Sequence, residues 1–179
     1  MATLPTVDSS YLIDFLVELL NTPSPTGYTE KAISFIQERL ASFSFLETCQ
    51  TKKGGLVTFW RGQETTSPRG LTAHTDTLGA MVKEVKGNGR LKLSKVGGFS
   101  WNTVEGEGCT IFASNGETFR GSVLINAASV HVYGKEVGET KRDDDHIEVR
   151  LDVRTTSAEE TLELGIEVGD FVAFDPRVE

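Results

Sequence analysis

Leu71-Thr72-Ala73-His74-Thr75-Asp76-Thr77-Leu78-Gly79 is the stretch whose reading decides the fold. It opens apolar, as the end of a buried strand does, and then sets His74 and Asp76 two residues apart. Side chains at i and i+2 of an extended backbone point the same way, so an imidazole and a carboxylate are offered together. In open α/β sheets, ligands bind beyond the carboxyl ends of strands. Neutral imidazole is the commonest protein metal ligand, and a carboxylate beside it fixes its tautomer. The segment therefore reads as half of a metal site. Taken alone it reads more readily as a strand-end histidine beside a solvated acid, because short motifs of this kind often match by chance.

Upstream, residues 11–21 predict a helix. Leu12, Phe15, Leu16, Leu19 and Leu20 fall on one face at helical spacing, and Asp8, Ser9 and Ser10 are candidate N-caps. Thr22-Pro23-Ser24-Pro25-Thr26-Gly27 stops it. A second helix is expected over 29–41, with Ala32, Ile33, Ile36 and Leu40 as its stripe. Both stripes read as core. A strand over 45–51, a Lys-Lys-Gly-Gly turn and a strand over 56–60 follow, then a polar loop into the strand ending at His74. Helices followed by strands, with a site at a strand end, predict the start of an α/β domain.

Downstream the texture changes. Segments 79–85 and 91–93 flank a Gly-Asn-Gly turn; 109–113 and 119–125 flank Asn115-Gly116; Ile147, Val149, Leu151 and Val153 alternate with polar residues. Short strands separated by glycine turns predict a small β-barrel or sandwich over residues 79–168. Within it, Ser157-Ala158-Glu159-Glu160 fits a capping box, with Gly165 placed to end that helix. Residues 171–174 read as a final strand. Asp143-Asp144-Asp145-His146 resembles a metal cluster, but consecutive aspartates diverge and Lys141 and Arg142 stand beside them, so a solvated loop is expected. His131 reads as structural, bonded to backbone within the β-rich part.

Composition narrows the function. The 179 residues are 38% hydrophobic and 25% charged, a globular balance with material for a core. A net charge of −8 disfavours phosphate backbones and anionic lipid, and no basic, aromatic-interleaved patch argues otherwise. No nucleic-acid or membrane partner is therefore expected. Cys49 and Cys109 form no C-x-x-C pair and read as small buried hydrophobes. Residues 1–10 are polar and lack a basic segment before an apolar run, so no signal peptide or membrane span is expected, and the location reads as cytoplasmic.

Residues 73–82, Ala-His-Thr-Asp-Thr-Leu-Gly-Ala-Met-Val, resemble the metal-site segment of the glutamyl aminopeptidase family, often labelled endoglucanase-like. The resemblance continues through Val96-Gly97-Gly98-Phe99, Ser129-Val130-His131-Val132 and Leu164-Gly165-Ile166-Glu167-Val168-Gly169-Asp170-Phe171-Val172, and Thr22–Gly27 fits as well. It covers essentially the whole chain. These are cytosolic, tetrahedrally assembling metalloaminopeptidases. The resemblance implies a catalytic α/β domain interrupted by a β-rich, barrel-like dimerisation domain: residues 1–78 as the first part of the catalytic domain, 79–168 as the insertion, and 169–179 as a truncated return. It implies His74 as a metal ligand and Asp76 as the active-site carboxylate that orients it, in a centre of two divalent ions, zinc or cobalt. Such a centre activates water and polarises a scissile carbonyl. Peptides would be the substrates, and copies of the chain the partners.

One departure is large. In the family, the bridging aspartate, the catalytic glutamate and the remaining ligands follow the segment matching 172–177, and Asp170, Asp175 and Glu179 do not sit in motifs that replace them. The expectation is an N-terminal part of such an enzyme, inactive alone and not retaining its metals. Two alternatives stand beside it: a non-catalytic module that self-associates through the β-domain, and a deacylase-type metallohydrolase that also uses His-x-Asp. The glycine-rich segment from Gly97 and the 164–172 match favour the peptidase over the deacylase. No carboxylate pair suited to glycoside hydrolysis is evident.

Overall fold

The computed structural model describes residues 6–179, so the first half of the polar N-terminal stretch lies outside the described residues. The chain is mixed α/β and divides into two units. Unit 1 holds the chain up to Pro23, Thr29–Thr75 and Pro176–Glu179. Unit 2 holds Ser24–Tyr28 and Asp76–Asp175.

Unit 1 contains α1 (Ser9–Leu20), α2 (Glu30–Leu40), β1 (Leu46–Gln50) and β2 (Leu56–Trp60). Asp8 is the cap of α1, its Oδ1 accepting from Tyr11 N–H at 3.0 Å. The helices meet through Phe15 and Phe35, ring centroids 5.5 Å apart, and through the Arg39–Glu18 ion pair. β1 and β2 form an antiparallel two-stranded sheet with Leu46 opposite Trp60. The apolar stripe of α1 was expected in the core, yet no residue of α1 is buried, and Leu12, Leu16 and Leu20 are exposed. In α2 only Ala32 and Ile33 are buried. The physical reason is coverage. A helix face is buried only by what packs on it, and unit 1 has one further helix and a hairpin to offer.

Unit 2 is a closed six-stranded barrel in the order β3-β4-β7-β6-β5-β8. Its strands are β3 (Gly79–Val85), β4 (Leu91–Val96), β5 (Gly108–Phe112), β6 (Thr118–Ile125), β7 (Ile147–Leu151) and β8 (Phe171–Phe174). Every neighbouring pair is antiparallel. Closure removes the exposed edges that an open sheet would carry. The alternating residues point inward: Val82, Leu91, Leu93, Ile111, Val123, Ile125, Ile147, Val149 and Val172 form the core, with Trp101 among them. The β3–β4 turn needs Gly89, whose φ of 80° lies in the left-handed region. Phe171–Phe174, read as a final strand and placed by the resemblance in the return to the catalytic domain, pairs with β3 and β5 and closes the barrel. β7 ends at Leu151, so Val153 lies beyond it and is exposed.

Between β6 and β7 lie two short helices, α3 (Val130–Tyr133) and α4 (Glu136–Glu139). His131, expected as a bonded structural histidine, is exposed on α3. The acidic run after α4 is a loop whose aspartates take separate partners. Asp143 meets His146 Nδ1 at 2.5 Å, Asp144 accepts from Trp101 Nε1 at 2.6 Å, and Asp145 accepts from Lys92 Nζ at 2.6 Å. α5 (Ala158–Glu163) is capped as expected on one side: Ser157 Oγ accepts from Glu160 N–H at 3.2 Å. The return contact goes further back, Glu160 Oε2 accepting from Thr156 N–H at 2.6 Å.

Cys109 is fully buried, but Cys49 is exposed, which corrects the expectation for the latter. Burial pushes the Cys109 thiol up to about 12, so at neutral pH it stays protonated, and the thiolate is the reactive form. An aromatic disulfide reagent is therefore expected to titrate one thiol per native chain and two in denaturant. Two fast thiols in the native chain would contradict the burial of Cys109.

Candidate functional site

Residues 61–76 form no strand. Leu71 is fully exposed, so the apolar opening of the segment is not buried here. Alternation assigns side chains to faces only where the backbone is held in a sheet, and this segment has no strand neighbour among the described residues. The strand-end picture is thus corrected. His74 is exposed and falls among the last residues of unit 1. Asp76 is half-buried and begins the long segment of unit 2.

The surroundings of Asp76 are well defined. Its Oδ2 accepts a hydrogen bond from the Thr26 hydroxyl at 2.5 Å, within the range of charge-assisted O–H···O⁻ bonds. The next residue, Thr77, forms an isolated parallel bridge with Pro25. The Thr22–Gly27 segment, read from sequence as a helix stop, therefore reaches the candidate site. The available signal was its two X-Pro pairs, which favour extended backbone able to lie alongside another strand.

Asp170, Asp175 and Glu148 are engaged elsewhere. Asp170 is buried, accepting from Glu167 N–H at 2.8 Å and Ser114 N–H at 3.1 Å. Desolvation raises the pKa of its carboxyl from the ordinary value. Asp175 holds Arg120, with Nη1 to Oδ1 at 2.7 Å. Glu148, on β7, is buried beneath Lys86, at 2.5 Å, and Arg90. Among the described residues no group of three or more His, Cys, Asp or Glu side chains converges to hold a metal ion. A catalytic zinc takes about three protein ligands. Among the described residues the donors do not converge into such a set.

Residues 54–179 match the family model described as M42 glutamyl aminopeptidase, and the chain belongs to that family. A Bacillus subtilis (strain 168) relative, YhfE, named provisionally as an aminopeptidase, is 47% identical over 167 residues, covering 93% of this chain and 48% of its own. The fold is shared with a TET aminopeptidase from the marine sediment archaeon Thaumarchaeota archaeon SCGC AB-539-E09. That likeness has a TM-score of 0.77 at 19% identity, over 94% of this chain and 45% of the other. It is shared also with the Pyrococcus horikoshii TET1 peptidase, described as assembling into a tetrahedron or a large octahedral shell, with a TM-score of 0.66 at 20% identity over 91% and 46%. The chain spans about half the length of these relatives. Among the described residues no helix is long and apolar enough to cross a membrane.

Proposed function

We propose that this chain is the N-terminal part of a metal-dependent aminopeptidase that removes residues from the N-termini of peptides in the cytoplasm. The observation that carries the reading is the family match over residues 54–179, which includes the His74-x-Asp76 segment. In this reading His74 supplies one ligand of a two-ion centre, zinc or cobalt, and Asp76 is the active-site carboxylate that orients its imidazole. The remaining donors come from outside these residues. The β-rich segment over residues 79–168, with β8 closing its barrel, serves as the dimerisation domain of a homo-oligomer. The assembly described for the Pyrococcus horikoshii relative supports that part.

A second reading is favoured by one contrast. The barrel is closed and has its own core, whereas no metal-ligand group converges among the described residues. On that reading the chain is a self-associating module with no catalysis of its own.

The test uses the purified chain. It is expected to show no turnover of aminoacyl-nitroanilides with added zinc or cobalt, weak metal binding by calorimetry, and self-association in sedimentation. Metal affinity depends on several deprotonated ligands converging, and a single histidine does not provide them. Robust turnover, or tight binding of two ions, would show a complete site within these residues and refute the proposed division. A monomer at all concentrations would count against the dimerisation role. Joining the chain to the missing half of a relative's catalytic domain separates the two readings: peptidase activity restored to that protein supports the enzyme, and none supports the module.

A further inference from the structure

Ser24–Tyr28 is remote in sequence from the barrel yet belongs to unit 2. Thr77 N–H donates to Ser24 O at 2.7 Å, and Thr26 N–H donates to Thr77 O at 3.3 Å. Between them Pro25, its φ fixed by the ring, bridges to Thr77. Gly79 permits this approach, since a Cβ there would stand 2.6 Å from Pro25 Cβ and 2.9 Å from Val172 O. The far end of the segment is anchored by the Tyr28 ring, whose centroid lies 4.8 Å from that of Phe112 and 5.3 Å from that of Phe171. Thr26 is thus held by main-chain bonds on one side and an aromatic anchor on the other. From that fixed position its hydroxyl reaches Asp76 Oδ2 at 2.5 Å, across 50 residues of sequence.

We propose that Thr26 is the positioning residue of the Asp76 carboxylate, its hydroxyl selecting one orientation of that side chain. An aspartate side chain has three staggered χ1 wells and a broad χ2. The charge-assisted bond from Thr26, itself placed by its main-chain bonds, favours one of them. The hydroxyl, rather than the bulk of the residue, does the selecting. The functional weight of this assignment rests on the proposal that Asp76 serves His74; the hydrogen bond itself does not.

The experiment is NMR on the whole 179-residue chain, at one pH and without metal. In the wild type the Asp76 Hα–Hβ couplings should show a single χ1 rotamer. Thr26→Val keeps the shape, removes the donor, and should average those couplings. Thr26→Ser keeps the donor and should retain the single-rotamer pattern. Ser24→Ala removes a neighbouring buried hydroxyl that has no hydrogen-bond partner, and should leave the pattern unchanged. Unchanged couplings in Thr26→Val would overturn the proposal. So would averaging in Thr26→Ser or Ser24→Ala, because the strap's packing and not the hydroxyl would then set the rotamer. The ring ¹⁵N shifts of His74 report the underlying site separately. Asp76→Asn should shift its tautomer balance, and Thr26→Val should shift it the same way by less. If Asp76→Asn leaves those shifts untouched while Thr26→Val still averages the couplings, the pairing of Asp76 with His74 fails and the Thr26 assignment stands.

Discussion

Replacing His74 by alanine is expected to abolish peptidase activity and metal occupancy together, in a protein that carries these residues within a complete catalytic domain. A catalytic ion takes about three protein ligands, and losing one leaves too few to hold it in a fixed geometry. Asp76→Asn should behave differently. The amide keeps the shape and can still accept through its oxygen, but the charge that orients an imidazole is gone. Losses of this kind run to about 10–100-fold in metal affinity or activity. Metal analysis and turnover on the same preparations separate the two variants: His74→Ala loses both quantities, and Asp76→Asn loses turnover while keeping much of its metal. Full metal content and full turnover in His74→Ala would remove His74 from the site.

Ending the chain at Val168 is expected to unfold the barrel outright. β8 supplies Phe171, Val172 and Ala173 to the pairing with β3, and Phe171–Phe174 to the pairing with β5. Its loss opens two sheet edges at once and strips main-chain partners from both. Val172, fully buried, leaves a gap in the core, and Phe174 no longer meets Phe99, 5.5 Å away between ring centroids. Burying one such side chain contributes about 1.5–3 kcal/mol, and a whole domain has only about 5–15 kcal/mol of net stability. Several such losses, added to two opened edges, are comparable with that whole margin. Circular dichroism and thermal unfolding of the shortened chain provide the check. A cooperative transition near that of the intact chain would show that β8 is not integral to the barrel.

The hairpins were legible because their turns announce themselves: Gly89 and Gly116 both take positive φ, and apolar residues alternate on either side of them. Helices α1, α2 and α5 were legible from periodicity and from Asp8 and Ser157 at the starts of α1 and α5, whereas α3 and α4, each four residues long, are too short to show a period. The partner of β8 was not legible. Phe171-Val172-Ala173-Phe174 is apolar throughout, which marks a strand but carries no record of which edge it joins. Nor does periodicity say what covers a face, which is why α1 looked like core and is exposed. At the candidate site, His74 and Asp76 were singled out from their local spacing and from the family resemblance. Thr26 was not, because its partner stands 50 residues away and the Pro-rich segment around it has a sufficient local explanation as a helix stop. Long-range hydrogen bonds leave no local pattern to read.

The membership of Ser24–Tyr28 in unit 2 bears on modularity and inheritance. The chain passes from one unit to the other four times, at residues 23/24, 28/29, 75/76 and 175/176. The barrel is therefore transmitted in two pieces, a long segment and a distant pentapeptide. A chimera that exchanged only residues 76–175 with a relative would set a foreign surface against the native Pro25, Thr26 and Tyr28. Such an exchange would keep the native contacts of Pro25, Thr26 and Tyr28 only if residues 24–28 travelled with the long segment.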